Sequence, residues 1–358
     1  MSQEKQCSIC EKSFVVCFAY QIKRTETELF HFCSQSCHER YLCSNEVRTC
    51  DICGTQFEML YAYQQASIDG LTRTYCSNAC RTQEMELVER RHQNIRRIAV
   101  LNQKGGTGKT TTSVNVAAGL AQAGKRVLLI DLDAQSNVAV SLGLAAPRTI
   151  TDVLVHRAHP AECIINVGAN FDALIGHTSL VSAETELARL NRGRNQVLSE
   201  QMRGITNYDF IILDCSPSLS VLNTNALTFA DQVLIPVSCD YLSMVGVRRI
   251  LRTINKMNEL LLSHVEVLGV VPTFYGLSEK CTQDTMRSLL AYFQDKVFPP
   301  ISVDPKLRQA PIHKKSIFEF APESQGALDY RRLVQKVMMA TATAKPHGSR
   351  TEQRRSGT

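Results

Sequence analysis

A mostly parallel, twisted α/β sheet flanked by helices, preceded by two small cysteine-rich units, is the fold class this sequence predicts. Three observations predict it. A glycine-rich stretch, Lys104–Thr111, sits between an apolar run, Arg97–Leu101, and a helix-patterned run, Ser113–Ala123. Further apolar runs follow, two of them closing on aspartates, with helical segments between them; such alternation implies parallel strands joined by right-handed crossovers. Ahead of all this, eight cysteines fall into two sets that map onto each other under one constant shift of 43 residues.

The totals bound the answer. At 358 residues the chain has room for one large domain and something smaller. A content of 44% hydrophobic and 21% charged residues is that of a soluble globular protein. No apolar run approaches the roughly 20 residues of a membrane span, so no membrane contact is expected. Met1–Gln6 lacks the apolar core of a secretory signal, and a cytoplasmic location is expected. Ten of the fourteen cysteines lie before residue 81, a density that calls for something other than disulfides in that compartment. The remaining four, Cys163, Cys215, Cys239 and Cys281, are scattered and read as small buried apolar residues. The net charge of +6 is unevenly placed: residues 1–97 hold 12 basic and 12 acidic side chains, so the whole excess lies beyond them.

Taking the chain in order, Cys7, Cys10, Cys33 and Cys37 form the first set, and Cys50, Cys53, Cys76 and Cys80 the second. Both read C-x2-C-x22-C-x3-C, and their neighbours repeat: Ile9 with Ile52, Phe14 with Phe57, Phe32 with Tyr75, Ser34 with Ser77. Each copy is too short to bury a core alone. Four thiolates at this spacing suit one closed structural Zn²⁺ per copy, whose binding supplies the missing folding free energy; an Fe–S cluster is the competing metal. The first pair of each set is expected on a tight turn, a hairpin between the pairs, and the second pair at the start of a short helix. The arrangement is treble-clef-like and resembles the TRASH or MYM-type zinc modules, with their F/Y-C-S-x-x-C second half. His31, His38, Cys17 and Cys43 do not recur as ligand types at the shifted positions and are left out of the sites. Neutral side chains and a net −2 for each Zn²⁺ with four thiolates favour a protein-binding adaptor over a groove for nucleic acid. The charged stretch 82–95 reads as a helical linker.

The stretch Lys104-Gly105-Gly106-Thr107-Gly108-Lys109-Thr110-Thr111 has the strand–loop–helix context of a phosphate-binding loop. Its glycines let backbone N–H groups approach a polyphosphate, and the helix start adds the positive end of its dipole. Lys109 is placed to reach the β- and γ-phosphates, and the Thr110 hydroxyl to ligate Mg²⁺. The pattern G-x-x-x-x-G-K-[ST] is not met literally, because Gln103 stands at the first glycine and Lys104 is an added cation. Val114, Ala117, Ala118, Leu120 and Ala121 give the following helix its apolar face, and Gly124 ends it. Arg126–Asp131 reads as a buried parallel strand. It delivers Asp131 and Asp133 beyond its carboxyl end, where they can order water and Mg²⁺; the other reading of Asp131 is a strand-end turn former. Phe171–Ile175 is a short strand, followed by two helical segments between Leu180 and Arg203. Asp209–Asp214 is an apolar run closing on a carboxylate, which places Asp214 on Mg²⁺ through water. Asp231–Val237 and Val265–Val271 are two further strands, with a long helix, about Ser243–Ser263, between them.

This loop resembles the deviant Walker A box of the ParA/MinD family of dimeric P-loop ATPases. The likeness spans about residues 96–340. It implies that Lys104 crosses a dimer interface to the partner's nucleotide, and that Asp133, in a D-x-D-A-Q segment where the family has D-x-D-P-Q, positions the attacking water. Ala134 stands in place of that proline, a departure that bears on the hydrolysis rate. Pro217 matches the family's D-x-x-P segment. In Ser302–Pro311 the family's adenine-contacting and DNA-contacting positions fall on Asp304 and Lys306, both departures from its asparagine and arginine. The tail beyond Ala340, with almost no large apolar residue, is expected to be disordered, and it lacks the membrane helix of MinD-type relatives.

The expected domains are therefore 1–43 and 44–81 for the two four-cysteine units, 82–95 for the linker, 96–341 for the ATPase and 342–358 for the tail. The expected function is an ATPase that dimerises on Mg-ATP and binds DNA non-specifically through Lys306, Arg308, Lys314 and Lys315, for which a solvated surface is the alternative. Hydrolysis then drives segregation or positioning of DNA or a large complex at the nucleoid, with a ParB-like activating partner. The alternative is a zinc-module-bearing regulatory ATP switch. Rivals on the same scaffold each want a feature that is missing: a C-terminal tyrosine cluster, a C-x-x-C in the ATPase part, or a terminal membrane helix.

Overall fold

Backbone geometry follows the two patterns of the sequence separately. A computed structural model describes residues 4–24, 29–42, 47–68, 71–218, 220–239, 251–256, 258–259, 265–276 and 280–342. The chain divides into two compact units, Met1–Arg90 and Arg91–Thr358.

In the first unit the 43-residue repeat is a structural repeat. β1 (Glu4–Gln6) pairs antiparallel with β2 (Ser13–Val15), and β3 (Ile22–Arg24) with β4 (Leu29–His31), ahead of α1 (Gln35–Leu42). β5 (Val47–Thr49) pairs with β6 (Gln56–Glu58) and β7 (Gln65–Ile68) with β8 (Leu71–Thr74), ahead of α2 (Asn78–Asn94). Register repeats too: Lys5 faces Phe14 as Arg48 faces Phe57. The turn carrying the first cysteine pair needs one left-handed residue, Glu11 (φ 62°) in one copy and Gly54 (φ 72°) in the other; only the glycine takes that conformation without steric cost. Fully buried apolar side chains are few, Phe32 and Tyr75 foremost. The charged linker is helical because α2 starts inside the second copy and continues to Asn94.

In the second unit, β9 (Arg96–Val100), α3 (Lys109–Gln122), β10 (Val127–Leu132), α4 (Asn137–Leu142) and α5 (Ile150–Leu154) come first. β11 (Ile165–Gly168), β12 (Phe171–Leu174), α6 (Leu180–Ala188), α7 (Val197–Gln201), β13 (Phe210–Cys215), α8 (Val221–Phe229), β14 (Gln232–Ser238) and β15 (Glu266–Thr273) follow. α9 (Lys280–Phe293), α10 (Pro305–Gln309), α11 (Ile317–Phe320) and α12 (Gln325–Ala342) complete it. The seven strands lie in the order β11-β12-β10-β13-β9-β14-β15. Neighbours are parallel except β11, which runs antiparallel to β12. The predicted strands are present within a residue or two of their expected ends. β11 and the helices α4, α5, α8, α9 and α10 are additions to the sequence reading. The helix expected over 243–263 falls largely outside the described residues, with 251–256 helical.

Apolar side chains cover both faces of the sheet. One layer joins β10 and β13 to α5–α8 through Leu128, Ile130, Leu213 and Leu222. The other joins the opposite strand faces to α3 and α12 through Leu129, Ile212, Leu120 and Leu333. Gly119 lets α3 and α12 approach: a Cβ there would stand 2.6 Å from Val334 and 2.9 Å from Phe318. Tyr330 on α12 meets the Thr112 hydroxyl at 3.2 Å, so the closing helix is tied to the helix that starts at the glycine loop. No helix among the described residues is long and apolar enough to cross a membrane.

Candidate functional site

Parallel strands place their carboxyl ends at one edge, and the loops leaving β9, β10 and β13 there carry the predicted residues. Gly106 (φ 72°) and Gly108 (φ 81°), the N-cap of α3, take left-handed conformations closed to most side chains. The loop is braced by bonds the sequence reading missed. Asn102 accepts the backbone N–H of Lys104 at 3.0 Å and donates to the carbonyl of Pro236 at 2.6 Å. The Thr273 hydroxyl donates to the carbonyl of Thr107 at 3.0 Å. Lys109 Nζ donates to the carbonyl of Lys104 at 3.1 Å, folding that cation back over the loop. Burial lowers the Lys109 pKa against the pull of Asp214 and Asp133.

Thr110 and Ser113 lie on one face of α3 and both reach β13. The Thr110 hydroxyl donates to Asp214 Oδ2 and the Ser113 hydroxyl to Asp214 Oδ1, each at 2.7 Å. Ser113 was legible, because a residue three places along a helix shares the face of Thr110. Burial pushes the Asp214 pKa up to about 6, against the two hydroxyls that lower it. Asp131 is fully buried, and burial together with Asp214 raises it well above the usual carboxylate range. Its oxygens accept the backbone N–H groups of Asp133 (3.0 Å) and Val138 (3.3 Å), which fixes the turn into α4. Asp133 accepts from the backbone of Gln135 at 3.0 Å. Three carboxylates and two hydroxyls form an oxygen donor set that suits a hard divalent cation, beside one buried ammonium that suits a phosphate.

A cavity of about 370 Å³ adjoins the loop, bordered by Gly108, Thr111, Phe274, Val303, Asp304 and Tyr330. Asp304 caps α10: its Oδ1 accepts from the backbone of Lys306 and its Oδ2 from that of Gly326, both at 2.8 Å. Lys306, Arg308, Lys314 and Lys315 are exposed on the stretch that follows.

In the first unit each cysteine set converges. Cys7, Cys10, Cys33 and Cys37 bring their sulfurs within 4.8 Å of one another, and so do Cys50, Cys53, Cys76 and Cys80; among the described residues these are the groupings able to hold a metal. Sulfur separations are 3.4 Å for Cys10–Cys33, 3.5 Å for Cys53–Cys76 and 3.7 Å for Cys33–Cys37 and Cys76–Cys80. Thiolates placed tetrahedrally about 2.3 Å from Zn²⁺ stand about 3.8 Å apart, so both sets fit that ion. Crowding also splits the thiols: hydrogen bonds from Thr55 pull Cys53 down to about 6, while Cys53 holds Cys76 up at about 12. A buried glutamine supports each set and was overlooked. Gln21 Oε1 accepts from the backbones of Cys17 (2.7 Å) and Phe18 (2.9 Å); Gln64 Oε1 accepts from Leu60 (2.6 Å) and Tyr61 (2.8 Å). The signal was the Ala-Tyr-Gln triplet recurring at the same 43-residue shift.

Comparison with known proteins agrees with this geometry. Residues 95–267 match the profile of an AAA domain family. The chain is 40% identical over 245 residues to the chromosome-partitioning ATPase Soj of Thermus thermophilus, across 68% of this chain and 96% of that one. It is 32% identical over 251 residues to the chromosome partitioning protein ParA of Caulobacter vibrioides, across 68% of this chain and 94% of the relative. Among solved structures it resembles a cobyrinic acid a,c-diamide synthase of Mycobacterium smegmatis with bound ADP and magnesium. That likeness has a TM-score of 0.60 and 29% identity, over 70% of this chain and 98% of that one.

Proposed function

The chain belongs to the ParA/Soj family of P-loop ATPases and hydrolyses ATP with Mg²⁺, and from that premise we propose that it works as a nucleotide-bridged homodimer. The dimer holds DNA without sequence preference and lets go on turnover, so that cycles of ATP use segregate or position DNA or a large complex. The observation that carries this reading is the glycine loop, where Lys109 is buried within the field of the carboxylate Asp214 and a second lysine, Lys104, stands at the loop's entrance. Lys109 serves the loop's own nucleotide, and the role of reaching another copy's falls on Lys104, as the likeness of the loop to the deviant Walker A box implies.

Lys109 and the backbone of Gly105–Gly108 hold the phosphates, with Thr111 beside them. Thr110 and Asp214 hold the Mg²⁺, with Asp131 behind them. Bound Mg²⁺ neutralises charge on the phosphates. Asp133 orients the water, Lys104 completes the partner's site, and catalysis is electrostatic positioning. The cavity beside Gly108 takes the base, with Asp304 at its edge shaping the backbone. Lys306, Arg308, Lys314 and Lys315 meet DNA phosphates, and a ParB-like protein triggers hydrolysis at the nucleoid. The four-cysteine units at 1–43 and 44–81 each hold one structural Zn²⁺ and bind protein; residues 96–341 form the motor, joined through 82–95.

Lys104→Ala and Asp133→Ala are each expected to lower turnover by about a hundredfold or more, with ATP still raising the melting temperature. Wild-type hydrolysis by Lys104→Ala overturns the cross-dimer role. The duplicated cysteine sets favour a second reading, a regulatory ATP switch governed by the zinc units. Metal-stripped protein that still binds DNA and its activator normally removes that reading.

A further inference from the structure

The internal duplication preserves one feature that metal binding does not require. In the first copy Phe18 and Tyr20 stack with ring centroids 5.6 Å apart and planes 9° from parallel. In the second, Tyr61 and Tyr63 stand 43 residues on, 5.5 Å apart and 12° from parallel. The outer ring is open in both: Phe18 is 60% exposed and Tyr61 41%. The inner rings, Tyr20 and Tyr63, are half-buried.

These pairs are held from beneath. Gln21 and Gln64, each 4% exposed, pin the backbone N–H of Phe18 and of Tyr61. The next links run from Phe32 N–H to the carbonyl of Gln21 and from Tyr75 N–H to that of Gln64, at 2.9 and 2.8 Å. An exposed aromatic pair with a rigid base is a preorganised platform, since the ordering of its rings is settled before any ligand arrives.

We propose that these two aromatic pairs form a duplicated platform that docks an arginine-bearing peptide segment of a partner protein. The inference deepens the reading of the four-cysteine units as zinc-held, protein-binding modules and rests on it. Ring faces carry partial negative charge and attract cations, guanidinium above all because it is flat and weakly hydrated. Field complements face: the unit, Met1–Arg90, holds 9 basic and 12 acidic side chains, and two Zn²⁺ with eight thiolates bring it to about −7. Phosphate-bearing ligands are repelled by the same field. Elsewhere in the chain some aromatic faces hold cations of their own, as Phe229 holds Arg97 at 5.2 Å and Phe318 holds Arg331 at 5.9 Å. Among the described residues, none stands over Phe18 or Tyr61.

The test uses the full-length chain, with zinc content measured by mass spectrometry. Its probe is a labelled twelve-residue peptide of glycine and serine with arginine at every third position. Phe18→Ala and Tyr61→Ala are each expected to weaken binding about two- to fivefold, and the double variant by about the product. All three keep the zinc content of the parent. Replacing arginine by citrulline in the probe abolishes binding. Equal affinity of parent and double variant at full zinc content overturns the platform and leaves the metal reading standing. Loss of binding to a single-stranded oligonucleotide in these variants, with peptide binding unmoved, also overturns it. Protein without zinc whose peptide binding still depends on Phe18 and Tyr61 sinks the metal reading and keeps the platform.

Discussion

Among the described residues of the first unit the fully buried side chains are little more than Phe32 and Tyr75 beside the cysteines, and no strand exceeds four residues. In the second, β10, β13 and β14 bury every residue they contain. Yet both regions do the same unfavourable thing, crowding groups that ionise to anions: two sets of four thiols in one, three aspartates in the other. The first has only a small apolar cluster around Phe32 to offset that repulsion, which is why the proposed function gives it a structural metal. The second has two apolar layers against one sheet and can hold its charges before any cation arrives.

Removing metal is the strongest way to break this contrast. Structural Zn²⁺ contributes about 10–16 kcal/mol in small zinc-dependent units, more than a unit with so small a core can replace. A strong chelator is expected to abolish amide-exchange protection over residues 4–80 while β10 and β13 keep theirs. Cys33→Ser should halve the zinc content by losing the first site alone. Retained protection in the stripped protein, followed by exchange mass spectrometry, would show that burial suffices there.

The next largest effect comes from the other side. Leu129→Ala on β10 removes a fully buried side chain and should cost about 2–5 kcal/mol. That lowers the melting temperature of the ATPase unit by roughly 5–15 °C and leaves the zinc content unchanged. A parallel loss of zinc in this variant would mean that the two units unfold as one.

Much of this was legible because the strongest signals are local. The glycine loop, the apolar runs closing on Asp131 and Asp214, and the 43-residue repeat each declare themselves within a short window. The sheet's strands were therefore readable, while its order was not, since that depends on which strands pair. β11 was missed because an antiparallel edge strand of four residues carries no long apolar run. Asn102 and Thr273 were missed because their partners, Pro236 and Thr107, lie 134 and 166 residues away. Gln21 and Gln64 show the opposite failure, since the repeat displayed them and a search confined to metal-ligand types passed over them. Asp304 reads as a departure from the family's asparagine, and only its place in the fold shows the work it does, capping α10 and holding Gly326.

The smallest effect tests how the second region carries its charge unaided. Burial raises Asp214 from the usual 3.8 to about 6 and raises Asp131 as well. The folded chain therefore binds these protons more tightly than the unfolded chain does. The stability this contributes is present below about pH 4 and is lost as pH rises through about 6. In the metal-free, nucleotide-free protein, Asp214→Asn removes the ionisation, so its melting temperature relative to wild type should climb between pH 4 and 6 and then level off. Adding Mg²⁺ and a non-hydrolysable ATP analogue at pH 7.5 should reverse the ranking, because the cation and the hydroxyls of Thr110 and Ser113 then have a carboxylate to share only in wild type. Parallel melting profiles for the two proteins across that window, with and without ligand, would mean that the buried aspartates are neutralised by something other than the site's own cation.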